Sequence, residues 1–230
     1  MPAIDMEYLA LLTERIRDLL GRLHETIWEP ARVPDLAGLC DTAIDAPCRT
    51  ITESGLITRL NNQGRRPEQV LFSWLRGHAA QEYFAPAIAG WLGANAQSVR
   101  RIGGDDFTSV DTFKRTPGAD LELDLESGPC RIEVQSGFQG VNDIKQHKVL
   151  EARRLREAEG VQTLCTHFDL YNGQAAIVQL DAISDDDLNW VTRQQMEGQT
   201  VFSIDQNSFL WRLIDPPPAA ETLDLEVFRS

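Results

Sequence analysis

Residues 119–136 read ADLELDLESGPCRIEVQS, and their polar and apolar side chains alternate. A period of two is the mark of a β-strand with one face turned away from the core. The short SGP break at 127–129 turns the chain back on itself, so the two halves are expected to pair as a hairpin. Asp120, Glu122, Asp124 and Glu126 share one face of the first strand, and Glu133 and Gln135 share one face of the second. Like charges on paired strands repel. Either these carboxylates all face water, or something positive sits between them. Two carboxylates that converge raise their pKa or bind a cation. Oxygen ligands of this kind suit Mg²⁺ or Mn²⁺, which keep several waters and accept a phosphate oxygen as a further ligand.

The pattern around the hairpin fixes the fold class. Residues 4–28 repeat apolar side chains at helical spacing, and a second helical stretch follows Pro67, with an interruption expected near Pro86. Residues 96–106, with Arg100 and Arg101, read as a loop. From there strand patterns dominate: 107–113, the two hairpin halves, 162–170 and 175–181. Between them 142–158 reads as a helix capped by Asn142 or Asp143. Ser184 and Asp187 sit at capping-box spacing and open a last helix. VFSID and FLWRLI then read as a closing pair of strands, followed by PPP and a tail. The expectation is an α/β (α+β) chain with a mixed β-sheet flanked by helices. It divides into a helical N-terminal part (1–66), a core (67–183), and a C-terminal helix, hairpin and tail (184–230).

Charge at first argues against a nucleic-acid partner, because the 230 residues carry a net −13. The acidity is uneven. Residues 159–230 hold 3 Lys/Arg against 12 Asp/Glu, whereas 97–158 hold 10 against 11. Contacts depend on local potential, so the middle of the chain keeps that possibility open. No apolar run reaches membrane-spanning length, and the acidic N-terminal residues do not form a signal peptide, so a cytoplasmic protein is expected. Four cysteines without CxxC spacing point to buried apolar roles rather than zinc. The four histidines show no metal-ligand spacing; His147, between Lys145 and Lys148, lies closest to the acidic hairpin in sequence.

Pro117, Asp120 and the run Glu133-Val134-Gln135 resemble the motif of the PD-(D/E)XK nuclease superfamily. The order of elements from about 68 to 181 is similar as well. The chain departs from that motif in two places. Gly118 and Ala119 separate Pro117 from Asp120, and Gln135 stands where the family usually has Lys. Some type II restriction endonucleases carry this Glu-x-Gln form. The resemblance implies a restriction-endonuclease-like fold and an Mg²⁺-dependent double-stranded DNA endonuclease, with Mn²⁺ as a substitute. Asp120 and Glu133 would hold the metal, with the Val134 carbonyl and an additional acid at Glu82. Gln135 would position the attacking water, and Lys145 or Lys148 would supply the missing charge. Glu122 would be a solvated or supporting acid.

A type II enzyme cutting a short palindromic site needs two active sites, hence a homodimer. Side chains placed to meet the duplex are Arg65, Arg66, Arg100, Arg101, Lys114, Arg115, Ser136, Asn142, Lys145 and Lys148. Two alternatives remain. One is a less specific repair or phage-defence nuclease of the same fold. The other is a non-catalytic DNA-binding or interaction protein.

Overall fold

The computed structural model describes residues 3–60, 64–103, 118–125, 128–137, 140–184, 190–193 and 198–219. The expected strand at 107–113, Glu126, Asp187 and the side chains of Lys114 and Arg115 lie outside these residues. The chain forms two compact units: described residues up to 84, and 85–103 together with those from 118 onward.

The first unit is helical. Helix α1 (Met6–Thr26) starts where Asp5 Oδ1 accepts the Tyr8 amide at 2.9 Å, and it buries Leu9, Leu12, Ile16, Leu20 and Leu23 along one stripe. Helices α2 (Leu36–Cys40) and α3 (Ala46–Glu53) are joined by one wide π turn over Asp41–Asp45. Pro47 cannot donate to the carbonyl four residues earlier, and its ring crowds that carbonyl; the wider turn accommodates both. Helix α4 (Pro67–Trp91) contributes Leu71, Leu75, Ala79, Tyr83 and Phe84 to buried positions. Buried Tyr83 meets His24 Nδ1 at 3.2 Å, and burial pushes its phenol up to about 12. The expected interruption at Pro86 does not occur, because α4 runs through it. The lost hydrogen bond is set against the burial of Ala85, Ile88, Ala89 and Trp91 on either side.

The second unit is the mixed sheet. Its strands are β1 (Arg100–Arg101), β2 (Leu121–Leu125), β3 (Gly128–Gly137), β5 (Gln162–Asp169), β6 (Gln174–Gln179) and β9 (Trp211–Arg212), in that spatial order. Strands β3 and β5 are parallel and every other neighbouring pair is antiparallel. A second, three-stranded sheet pairs β4 (Asp143–Lys145) with β8 (Gln199–Ser203), and β8 with β7 (Val191–Arg193). Helix α5 (Gln146–Glu159) follows β4 and leads back to β5. On one face of the large sheet, Val149 and Ala152 of α5 pack with Cys165, Ala176, Val178, Ile144 and Phe202. On the other, Trp91 at the end of α4 meets Trp211 with ring centroids 5.0 Å apart, and Phe168 lies 6.3 Å from Trp211. The fold is thus the expected mixed sheet flanked by helices, with a helical N-terminal part.

Several elements differ from expectation. Arg100 and Arg101 form a short strand against β2 instead of a loop. Asn142 and Asp143 do not cap α5, whose first turn has no side-chain cap. Asp143 instead lies in β4, where its carboxylate accepts from Arg193 Nε at 3.1 Å and from Ser203 Oγ at 2.5 Å. Residues 191–193, expected in a helix opened by Ser184, are strand β7. The β-branched pair Val191 and Thr192 finds partners in Val201 and Thr200, and Trp190 packs edge-on against Phe202. VFSID and FLWRLI do not pair with each other: β8 joins β4 and β7, and β9 joins β6. All four cysteines are free; Cys40, Cys130 and Cys165 are buried and Cys48 is half-buried. Among the described residues no helix is long and apolar enough to cross a membrane.

Candidate active site

The hairpin register sets Leu121 opposite Ile132 and Glu122 opposite Arg131. Asp120 stands immediately before β2, outside that ladder. The Asp120 backbone is fixed from both sides: its N–H donates to Ile132 O at 3.0 Å, and its C=O accepts from Ile102 at 3.0 Å and Gly103 at 3.1 Å. Its side chain is fixed as well, because Oδ2 accepts the Val134 amide at 2.7 Å. Val134 directly follows Glu133, and the Asp120 and Glu133 carboxylates both act on the ammonium of Lys148 from α5, so the two carboxylates meet at that helix.

Glu133 is only 6% exposed. Lys148, from the first turns of α5, donates to Glu133 Oε2 at 2.7 Å and to Gly118 O at 3.0 Å. Burial alone would lower the Lys148 ammonium, but the attraction of Glu133, their hydrogen bond and the nearby Asp120 more than reverse this. Glu133 is pulled both ways: burial pushes its carboxyl up, while Lys148, Gln135 and Lys145 work against that, and the net direction is up. The raised Lys148 favours a charged pair and the raised Glu133 a neutral one. We take the pair as ionised near neutrality, because a buried ammonium at this distance requires a counter-charge. Gln135 lies two residues on and on the same face. Behind them Cys165 pairs in register with Glu133 and is fully buried, which raises its thiol well above the usual range.

Glu122 and Asp124, the other described members of the acidic row, are neutralised by arginines. Arg100 donates to Glu122 at 2.7 Å and to both oxygens of Asp124 at 3.0 Å. Arg131 bridges Glu122 at 3.3 Å and Glu159 of α5 at 3.2 Å. The hydrogen bond from Arg100 lowers the Glu122 carboxyl against the opposing effect of partial burial, and the bond from Arg131 adds to this. Positive groups therefore do sit between the carboxylates, and Arg131 is the member of this set that the sequence reading did not single out. Its signal was available: it stands opposite Glu122 in the hairpin register.

The remaining predicted site residues lie on several elements. Asn142 is committed internally: its Oδ1 meets His167 Nε2 at 2.8 Å and its Nδ2 donates to Asp169 Oδ2 at 2.9 Å. Ser136 is half-buried on β3, and Lys145 ends β4 with a half-buried side chain. Arg101 is exposed on β1. Arg65, Arg66 and Glu82 belong to the first unit, Glu82 half-buried on α4. His147, the histidine singled out beside the hairpin, is exposed in the first turn of α5.

As a cation site, Asp120 and Glu133 supply two carboxylates on one face, a number that suits an ion keeping waters and taking a phosphate oxygen. Among the described residues no group of three His, Cys, Asp or Glu side chains gathers as a metal cluster.

No family model matches the sequence, and no curated protein matches it. Among solved structures, Hjc, a Holliday junction resolvase from the archaeal hyperthermophile Archaeoglobus fulgidus, is similar over 48% of this chain and 71% of its own, with a TM-score of 0.31 and 13% identity.

Proposed function

We propose that this chain is a metal-dependent DNA endonuclease, with its active site at Asp120, Glu133, Gln135 and Lys148. The observation that carries the reading is that the Asp120 carboxylate, held by the Val134 amide, and the Glu133 carboxylate meet at one ammonium, which stands 2.7 Å from Glu133. The Asp-then-Glu-x-Gln sequence on this hairpin, with its resemblance to the PD-(D/E)XK motif, supports it. Asp120 and Glu133 would hold Mg²⁺ or Mn²⁺, together with the Val134 carbonyl.

Bound there, the ion would polarise the scissile phosphate and lower the pKa of the attacking water. The protein's own groups do the rest. The Val134 amide holds the Asp120 carboxylate in one orientation. Gln135 can donate and accept hydrogen bonds, so it orients the water without supplying charge. Lys148 brings the positive charge that Gln135 lacks, from α5 rather than from β3. It stabilises the anion that develops as the phosphodiester is attacked.

Within this class we favour a type II restriction enzyme acting as a homodimer on a short palindromic site, with both strands cut by symmetric sites. Supercoiled plasmid incubated with the protein and Mg²⁺ tests this. Discrete fragments support a site-specific enzyme, and a smear supports a less specific nuclease. No cleavage with either Mg²⁺ or Mn²⁺ would favour a binding protein in which the Lys148–Glu133 pair is purely structural.

A further inference from the structure

His167 is a buried, ionisable side chain beside the hairpin that the chemistry above does not use. It lies on β5, only 3% exposed, in parallel register with Gln135 of β3. Residues paired in this way stand side by side on one face of the sheet, so the imidazole shares the face of Glu133 and Gln135. The ring also leans across onto β3. Its Nε2 stands 3.3 Å from where a Cβ on Gly137 would lie, and Asn142 Oδ1 stands 3.0 Å from the same point. The side-chain position that follows Gln135 on this face is therefore filled by His167 and Asn142. Gln135, half-buried, has Glu133 on one side and this pair on the other.

A chain of hydrogen bonds sets the tautomer of the imidazole. Asp169 is fully buried, and its carboxyl lies below its usual value because hydrogen bonds from Asn142 and Asn172 outweigh the opposing effect of burial. A carboxylate only accepts, so Asn142 turns its Nδ2 to Asp169 Oδ2, at 2.9 Å, and its Oδ1 to His167 Nε2, at 2.8 Å. Nε2 must carry the proton in that contact, which leaves Nδ1 with a lone pair. Among the described residues Nδ1 has no hydrogen-bond partner, although it is buried. A bare buried acceptor is destabilising, and a rotation of a neighbouring side chain that supplies a donor is favoured. Gln135 is such a neighbour, and its amide carries two N–H groups.

We propose that His167 is a positioning residue for Gln135: Nδ1 accepts an N–H of the Gln135 carboxamide and so turns its Oε1 outward, to accept from the attacking water. Asp169 and Asn142 hold the imidazole in the tautomer that this requires. The role of the water rests on the proposed function; the contact between the two side chains does not. It also accounts for Gln at a position where Lys is usual in the motif that this hairpin resembles. A carboxamide offers a donor to Nδ1 and an acceptor to the water, whereas an ammonium has donors only.

Two experiments on the full chain test the contact and the role separately. Long-range ¹H–¹⁵N spectra of the histidine rings, recorded without metal, read the tautomer. Nε2 of His167 is expected to be protonated and Nδ1 bare of hydrogen, and Gln135→Ala is expected to shift the Nδ1 resonance. A protonated Nδ1, or an Nδ1 resonance that Gln135→Ala leaves in place, would overturn the proposal even for a protein that cuts DNA. The second experiment is a double-mutant cycle in single-turnover plasmid cleavage with Mg²⁺. His167→Phe keeps a ring against Phe209 and removes both nitrogens. It is expected to slow cleavage roughly tenfold with duplex binding in EDTA unchanged, and to cost nothing further once residue 135 is Ala, as for groups in contact. His167→Gln, which can donate to Asn142 and accept from Gln135, is expected to keep most of the rate. An equal loss from His167→Phe in both backgrounds would make its role structural and overturn the proposal. If His167→Phe melts too low to assay, the ring spectra decide. The readings fail separately: absence of metal-dependent cleavage by wild type removes the nuclease assignment, and the ring spectra still decide the contact.

Discussion

Lys148 and Glu133 form an ion pair of 2.7 Å between α5 and β3, with Glu133 almost fully buried and Lys148 nearly so. The contact ties the crossover helix to the central strand and puts the nearest ammonium at the acidic pair. Lys148→Met should therefore act on both stability and rate. Leaving one partner of a buried pair uncompensated costs about 3 kcal/mol. Without the ammonium, burial holds the Glu133 carboxyl still further above its unfolded value. A raised carboxyl pKa favours the folded state below the unfolded pKa, and that advantage is lost as pH rises through the folded pKa. The deficit of Lys148→Met relative to wild type should thus be large near neutrality and shrink on acidification. Urea melts of both proteins over pH would show this; a deficit independent of pH would mean that Glu133 is not the group left behind.

Gln135 shares the face of Glu133, and its side-chain amide opposes the rise of that carboxyl. Gln135→Ala should lose on the order of a hundredfold in single-turnover cleavage, in the range of a lost positioning group. Gln135→Lys should retain part of the rate. A Gln135→Ala variant that cuts at wild-type speed would leave the water to be positioned by another group, with Lys148 and Lys145 next in line.

How much of this was legible before the fold was known depended on the range of the interactions. The β2–β3 hairpin is local, so the alternation from Ala119 to Glu126 and the short SGP break are enough to predict two paired strands with carboxylates converging from both. The second sheet was not legible. Its strand β4 has three residues, and Asn142-Asp143 ahead of a helical pattern reads as a cap. Only Arg193 and Ser203, 50 and 60 residues away, turn Asp143 into a strand residue. VFSID likewise carried no mark of choosing β4 and β7 over its sequence neighbour FLWRLI. The reach of Lys148 was half visible. The sequence offers Lys145 and Lys148 alike as a source of charge, and the direction of α5 across the sheet brings Lys148 to Glu133.

His167 is buried beside Asn142 and Phe209, with Asp169 and Asp143 as the nearest charges, and burial lowers its pKa from 6.5 to about 4. The unfolded chain therefore binds a proton between these values that the folded chain refuses. Stability attributable to His167 is full above pH 6.5 and is lost as pH falls toward 4, by up to ~3 kcal/mol. His167→Gln should flatten the stability profile over that window relative to wild type. Parallel profiles would show that His167 does not carry the slope.

Gly137 ends β3 where the chain approaches the next loop closely. A Cβ there would stand 2.8 Å from Val141 O, 3.0 Å from Asn142 Oδ1 and 3.3 Å from His167 Nε2. Two of these atoms belong to one hydrogen-bonded pair and the third to backbone, so they cannot all yield. Gly137→Ala should destabilise by about 1–3 kcal/mol through overpacking, read as a lower melting temperature. An unchanged melting temperature would mean that this corner is loose.

The central claim is that Asp120 and Glu133 form a catalytic cation site, and plasmid cleavage by wild type, Asp120→Ala and Glu133→Ala under one protocol tests it most directly. Wild type should linearise or fragment supercoiled plasmid with Mg²⁺ and stop on addition of EDTA. Both variants should lose cleavage by a hundredfold or more, the scale of a lost transition-state stabiliser, while circular dichroism reports an intact fold. Near wild-type cutting by either folded variant would contradict the account.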